Sequence, residues 1–267
     1  MASEMRWMVD RTGPALAVVM PPLSYLLCGT PRTGSTLLCD LLASTGVAGR
    51  PESYFREPDE PAWAQRFGLA LAGDGIFEHR SYLHAVRRAG STPDGVFAAR
   101  VMWGSMPRIL EKLGTGLGAR SDLDLLTDAF GGLRLVHVTR ADVVGQAVSW
   151  ARAEQTGYWQ EGDRTSVHPL IDVDHADRLV RTITEHNAAW SRWFQRQGVE
   201  PYVVTYEDLV ADPGHTVQVL LDSLGVELPS TWRPRSARRR QADELNAGWV
   251  DLLAQQQARP PTRRDQA

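Results

Sequence analysis

The run Gly29-Thr30-Pro31-Arg32-Thr33-Gly34-Ser35-Thr36-Leu37-Leu38 sets two glycines, one guanidinium and several hydroxyls between a buried-looking apolar run and a helical pattern. Such residues in that order suit an anion. Glycines let the backbone approach a ligand, free N–H groups at a helix start point toward it, and the helix dipole adds about half a positive charge there. Ser35 and Thr36 are expected to cap the helix and to offer hydroxyls to the same oxygens. The spacing nearly matches the phosphate loop G-x-x-x-x-G-K-[ST], but Ser35 occupies the lysine position and the basic residue is Arg32. A nucleoside triphosphatase sets that lysine on the terminal phosphates and uses the next hydroxyl to hold magnesium. A donor ending in sulfate carries less charge at the transferred group and needs no metal.

A second cluster is His137-Val138-Thr139-Arg140-Ala141-Asp142, followed by Val143 through Trp150. Asp142 has the N-cap residue type, while Val143, Val144, Ala147, Val148 and Ala151 fall on one helical face. Arg140 stands where a strand should end, and its fork can grip a phosphate through two hydrogen bonds. Ser149, two turns into the helix, meets the same phosphate if Arg140 folds back over that helix. Taken alone, Arg140 reads as a surface ion-pair partner; beside the first motif it reads as a phosphate grip. His137 inside a strand, and Trp190 and Trp193 at helical spacing, are expected in the core. Five arginines between Arg233 and Arg240 form either a solvated basic tail or an anion grip.

These clusters need strands to carry them. Residues 24–29 (SYLLCG) and 133–139 (LRLVHVT) have the apolar, turn-bounded pattern of buried strands, as do 201–206 (PYVVTY) and, more weakly, 96–103 (VFAARVMW). Helices are expected over residues 35–44, 106–113, 142–154, 176–196, 215–224 and 245–257. Residues 114–118 and 161–168 look like mobile surface loops. Strands separated by helices imply a mostly parallel central sheet covered on both faces. In such sheets ligands bind beyond the carboxyl ends of the strands, where both clusters lie.

Composition narrows the class. A chain of 267 residues with 43% hydrophobic residues can bury a core as a single domain. We expect that domain over residues 21–258, with flexible tails at 1–20 and 259–267. A net charge of -3 gives no whole-chain field for nucleic acid. Cys28 and Cys39 sit in or beside apolar runs, as reduced thiols of a cytoplasmic protein would, and two cysteines are too few for a zinc cluster. The apolar residues 14–28 are broken by Pro21-Pro22 and fall short of the ~20 needed to span a bilayer. Of 29 basic residues only Lys112 is lysine, so any anion site here is built from arginine.

The motifs together resemble the bacterial trehalose 2-sulfotransferase family. TPRTGSTLL (30–38) resembles the 5′-phosphosulfate loop of sulfotransferases, HVTRADVVGQAVSW (137–150) their 3′-phosphate segment, and VVTYEDLVADP (203–213) their tyrosine-acid turn. TGVAGRPESYF (45–55), GVFAARVMW (95–103) and RRRQADELNAGWV (238–250) narrow the likeness, which spans about residues 24–255. It implies a P-loop-like α/β three-layer fold, 3′-phosphoadenosine-5′-phosphosulfate (PAPS) as donor, no metal, a sugar hydroxyl in glycolipid synthesis as acceptor, and a homodimer. Carried over by position, Arg32, Thr33, Gly34, Ser35 and Thr36 hold the phosphosulfate, Arg140 and Ser149 the 3′-phosphate, and Arg240 with Gln241 closes over the nucleotide. Arg32 and Arg100 are candidates for the charge that builds on the leaving phosphate.

The resemblance also implies a base for the attacking hydroxyl. The family places its glutamate directly before an aromatic pair, where this chain has Ser53; Glu52 lies one residue earlier and is the candidate base, with Glu57 in reserve. Arg50, Glu52, Ser53, Tyr54, Phe55, Trp103, Gln155 and Trp159 are candidates for gripping the sugar. A sulfotransferase acting on another sugar or glycolipid is the alternative within the class; a P-loop kinase and a non-catalytic nucleotide-binding protein are those of another class.

Overall fold

The computed structural model describes residues 21–70, 78–116, 118, 120–157, 170, 172–234 and 249–250. Four strands form one parallel sheet: β1 (Leu23–Gly29), β2 (Val96–Met102), β3 (Leu133–Thr139) and β4 (Tyr202–Thr205), in the order β2-β1-β3-β4. β1 pairs on both edges, Gly29 lying opposite Met102 on one side and Val138 on the other. The strands therefore end level, and the turns that follow them share one rim.

The alternation of β1 builds two cores. Tyr25 and Leu27 face one side, Leu26 and Cys28 the other, all at 1% exposure or less. On the first side lie α1 (Ser35–Ser44) and, from the chain's end, α9 (Pro213–Leu224), through Leu38, Leu41, Leu42, Val217, Leu220 and Leu221. The opposite layer contains α2 (Glu60–Arg66), α3 (His79–Gly90), α4 (Met106–Gly114), α5 (Asp122–Phe130) and α7 (Val173–Gln197). They meet the sheet through Ala64, Tyr82, Val86, Ile109, Phe130, Trp190, Trp193 and Phe194. α6 (Val143–Thr156) packs on α7 through Ala147, Ala151, Ala176 and Ile183. The three-layer P-loop-like α/β architecture and the core positions of Trp190 and Trp193 agree with expectation.

Several boundaries differ. β2 stops at Met102 because Trp103–Ser105 turns into a 3-10 helix, and β4 stops at Thr205 because its hydroxyl caps α8 (Tyr206–Ala211) through the Asp208 amide. α2, α3, α5 and α8 were not anticipated. α5 starts from a reciprocal capping box between Ser121 and Asp124, a signal the sequence carries. Of the expected helix at 245–257, only residues 249 and 250 are described; both are helical. The expected loop 161–168 lies outside the described residues.

The single lysine is structural. Its ammonium pairs with Glu60, tying α4 to α2, and their side chains are only 24% and 7% exposed. Removing one partner strands a charge in the core. Lys112→Met is expected to lower the unfolding free energy by about 3 kcal/mol in a denaturant titration, and the double change Glu60→Leu/Lys112→Met to restore most of it.

Candidate functional site

The tip of β1 is shaped by close contacts. A Cβ on Gly29 would lie 2.8 Å from the Val138 carbonyl of β3, so the strand can reach its neighbour here only as glycine. The chain then turns through Arg32, the one non-glycine residue with positive φ (68°) among those described, and Gly34 (φ 76°). A Cβ on Gly34 would meet the Tyr206 ring at 2.7 Å. Gly34 is the N-cap of α1, and no side chain caps it. Ser35 and Thr36 are thus the first helical residues and do not cap the helix, because the left-handed Gly34 brings the chain straight into it. The first backbone bond of the turn is from the Leu38 amide to the Gly34 carbonyl at 3.1 Å, which leaves the amides before it for an anion.

Three arginines surround this turn. Arg32 donates from Nε to the Ser149 hydroxyl of α6 at 3.0 Å. Arg100, from β2, donates from Nε to the Ser53 hydroxyl at 2.8 Å and from a terminal nitrogen to the Thr36 hydroxyl at 2.6 Å, and among the described residues it makes no ion pair. Arg140 lies at the tip of β3 with its guanidinium 4.5 Å from the centre of the Tyr206 ring. One nitrogen is 3.0 Å from Asp142, and Nε, buried, has no partner among the described residues. Asp142 also caps α6 through the Gly145 amide at 2.8 Å, and Glu207 accepts from the Ala141 amide at 3.2 Å. The Asp142 carboxylate and the Tyr206 face hold Arg140, whose terminal nitrogen lies over the first turn of α6 beside Gly145; Ser149, one turn further along α6, is bound by Arg32.

Among the loop residues, Thr33 turns its hydroxyl inward to the Thr30 carbonyl at 3.0 Å, so only its amide can face a ligand. On the acceptor side, Glu52 is exposed, and its carbonyl accepts from the Arg100 amide at 2.9 Å, which holds the turn against β2. Glu57, also exposed, pairs with Arg108.

Tyr54 and Phe55, expected to face a sugar, are only 2% and 4% exposed. Tyr54 meets Trp63 edge-on at 5.0 Å, Phe55 meets Phe130 at 5.7 Å, and the Tyr54 hydroxyl donates to the Arg50 carbonyl at 2.8 Å. Burial raises the phenol's pKa. Both rings are core, and neither offers a face to a ligand. Arg50 is exposed and Trp103 half-buried, edge-on to Trp190 at 5.0 Å. Gln155, on the last turn of α6, accepts from the Leu170 amide at 2.9 Å. Trp159, Arg240 and Gln241 lie outside the described residues.

His137 is buried against Phe194, as expected of a core residue, yet its Nε2 has no partner among the described residues. Burial lowers its pKa to about 4 and keeps the ring neutral. Tyr206 is the residue the sequence reading missed: it fills the space beside Gly34 and carries Arg140, and its signal was the Thr-Tyr-Glu-Asp turn closing β4.

The arrangement is a backbone anion cradle with one arginine inside it, a second beside it and a third one strand away. Comparison with known proteins gives the same picture. The model of the Stf0 sulphotransferase family matches residues 24–256. A trehalose 2-sulfotransferase from Mycolicibacterium smegmatis is 31% identical over 254 residues, covering 86% of this chain and 94% of that protein. One of the same name from Mycobacterium tuberculosis is 30% identical over 253 residues, covering 85% and 92%. In fold, the chain is similar to the sulfotransferase domain from the curacin biosynthetic pathway, with a TM-score of 0.50 at 17% identity over 85% of this chain and 82% of that one. The chain belongs to the Stf0 sulphotransferase family and is a sulfotransferase.

Proposed function

We propose that this sulfotransferase moves a sulfuryl group from PAPS to a carbohydrate hydroxyl, the 2-position of trehalose, as the names of its relatives suggest. The observation that carries the donor assignment is the uncapped turn at the tip of β1. It offers amides, the Thr36 hydroxyl and the Arg32 and Arg100 guanidiniums to one end of a nucleotide, while Arg140 stands at the next strand tip for the other. A lysine and a metal-holding hydroxyl, which a kinase sets on a triphosphate, are not paired in this loop.

When bound, PAPS supplies an activated sulfur: the acceptor oxygen bonds to it as the bond to the bridging phosphate oxygen breaks. The residues of the chain position the reactants and meet charge. Arg32 and Arg100 face the negative charge that builds on the 5′-phosphate. Arg140, with Ser149 nearby on α6, takes the 3′-phosphate. Glu52 accepts the proton of the attacking hydroxyl. Arg100 also binds the Ser53 hydroxyl, which ties the acceptor turn to the donor loop. Arg50, Trp103, Gln155 and Trp159 border the sugar, and Arg240 and Gln241 close over the nucleotide. The same reading makes the protein a cytoplasmic homodimer with one domain over residues 21–258. Among the described residues no helix is long and apolar enough to cross a membrane.

Incubation with PAPS and trehalose, followed by mass spectrometry, is expected to give sulfated trehalose without added divalent ion; no sulfated product from trehalose or a panel of glycans would defeat the proposal. Arg140→Ala is expected to weaken adenosine 3′,5′-bisphosphate on the order of 10- to 100-fold while barely changing adenosine 5′-phosphosulfate. Equal losses in calorimetry would remove Arg140 from the 3′-phosphate. Glu52→Gln is expected to cut kcat on the order of 100-fold or more with bisphosphate affinity kept; an unchanged kcat would assign the proton to another group.

A further inference from the structure

A loop can present amides to an anion only if its carbonyls face elsewhere, because an oxygen turned toward the ligand repels it. Three successive carbonyls of this loop are each tied to a side-chain donor. The Gly29 carbonyl accepts from the Trp190 indole at 2.9 Å, the Thr30 carbonyl from the Thr33 hydroxyl at 3.0 Å, and the Pro31 carbonyl from the Gln146 amide at 2.7 Å. The same Gln146 nitrogen donates to the Thr30 hydroxyl at 2.8 Å, so both of its protons are used. Thr30 in turn reaches Asn187 of α7 at 3.4 Å.

Gln146 and Trp190 are both fully buried. Gln146 is one of the buried residues of α6, between Gly145 and Ala147 and beside the Ala147–Ala151 face that packs on α7. Its Oε1 is buried with no partner among the described residues. Leaving a buried amide oxygen without a partner is destabilising. A residue there for packing alone would not incur that cost. The bond it secures is the one to Pro31, directly before Arg32 with its positive φ of 68°.

We propose that Gln146 and Trp190 are positioning residues for sulfuryl transfer: from α6 and α7 they hold the loop carbonyls inward, and so aim the loop amides and Arg32 at the 5′-phosphosulfate. The inference rests on the donor assignment above. It predicts a selective loss, confined to ligands that carry a 5′-phosphate.

The test is calorimetric titration of wild type, Gln146→Met and Trp190→Phe with adenosine 3′,5′-bisphosphate and with adenosine 3′-monophosphate, which bypasses the loop. Gln146→Met keeps the length and volume; Trp190→Phe keeps a ring and deletes the donor, and it carries the test if the first variant fails to fold. The expected result is a loss on the order of 10-fold for the bisphosphate and no more than about 2-fold for the 3′-monophosphate. Unchanged bisphosphate binding in a folded variant, or equal losses for both nucleotides, would overturn the positioning role while leaving the donor assignment standing. A wild-type protein that binds neither nucleotide would overturn the donor assignment itself, and this inference with it.

Discussion

A non-glycine residue in the left-handed region costs on the order of 1–2 kcal/mol, and this fold places one at the centre of its crevice: Arg32, φ 68°. Such a conformation persists only when its surroundings over-determine it. Here they do. Before it, the Pro31 carbonyl is held by Gln146; after it, Gly34 is fixed by the Tyr206 ring; and its own Nε reaches Ser149 on α6. A glycine at 32 would relieve the strain and discard the guanidinium. The strain is the consequence of putting a cation inside a turn whose geometry otherwise asks for glycine.

The same over-determination joins three strand tips. Tyr206, just beyond β4, packs on Gly34 beyond β1 and beneath Arg140 beyond β3. The carboxylate paired with Arg140 serves a backbone amide as well, since Asp142 caps α6, and Glu207, next to Tyr206 in the chain, accepts from the Ala141 amide. Arg140 keeps a buried Nε without a partner among the described residues, which is the disposition of a cation able to take a further acceptor.

What the sequence revealed follows from how locally each feature is determined. The strand tips and α1 were legible because a short apolar run followed by Gly-x-x-x-x-Gly is a complete local statement. α8 hid inside a turn motif, being six residues long, and α3 breaks its apolar stripe of Tyr82, Leu83, Ala85, Val86 and Ala89 with His84, Arg87 and Arg88. Missing these helices had a consequence at the site. Tyr54 and Phe55 looked like a sugar platform because an aromatic pair after a glycine-proline turn is ambiguous until its neighbours are known. Trp63 of α2, Tyr82 of α3 and Phe130 of α5 enclose the pair, and all three helices were unforeseen. Gln146 was overlooked for a related reason: on a helical wheel it is a polar residue beside an apolar face, and only the loop lying against that face gives it a role.

The cations of the site are all arginine, and the geometry explains why lysine would not substitute. Arg100 spans two targets at once, Ser53 at 2.8 Å in the turn beyond α1 and Thr36 at 2.6 Å in the first turn of α1. A planar fork can hold both at a fixed separation; an ammonium is a point charge on a flexible stem. The Ser53 contact also fixes the turn that follows α1, because a hydroxyl accepts from Arg100 there without an ion pair. Among the described residues Arg100 makes no ion pair, and its amide donates to the Glu52 carbonyl, which anchors the same turn to β2. Side chain and backbone of Arg100 thus act together on one turn, the fork through Ser53 and the amide through the Glu52 carbonyl, so that the turn and the loop after β1 are braced by the same residue of β2.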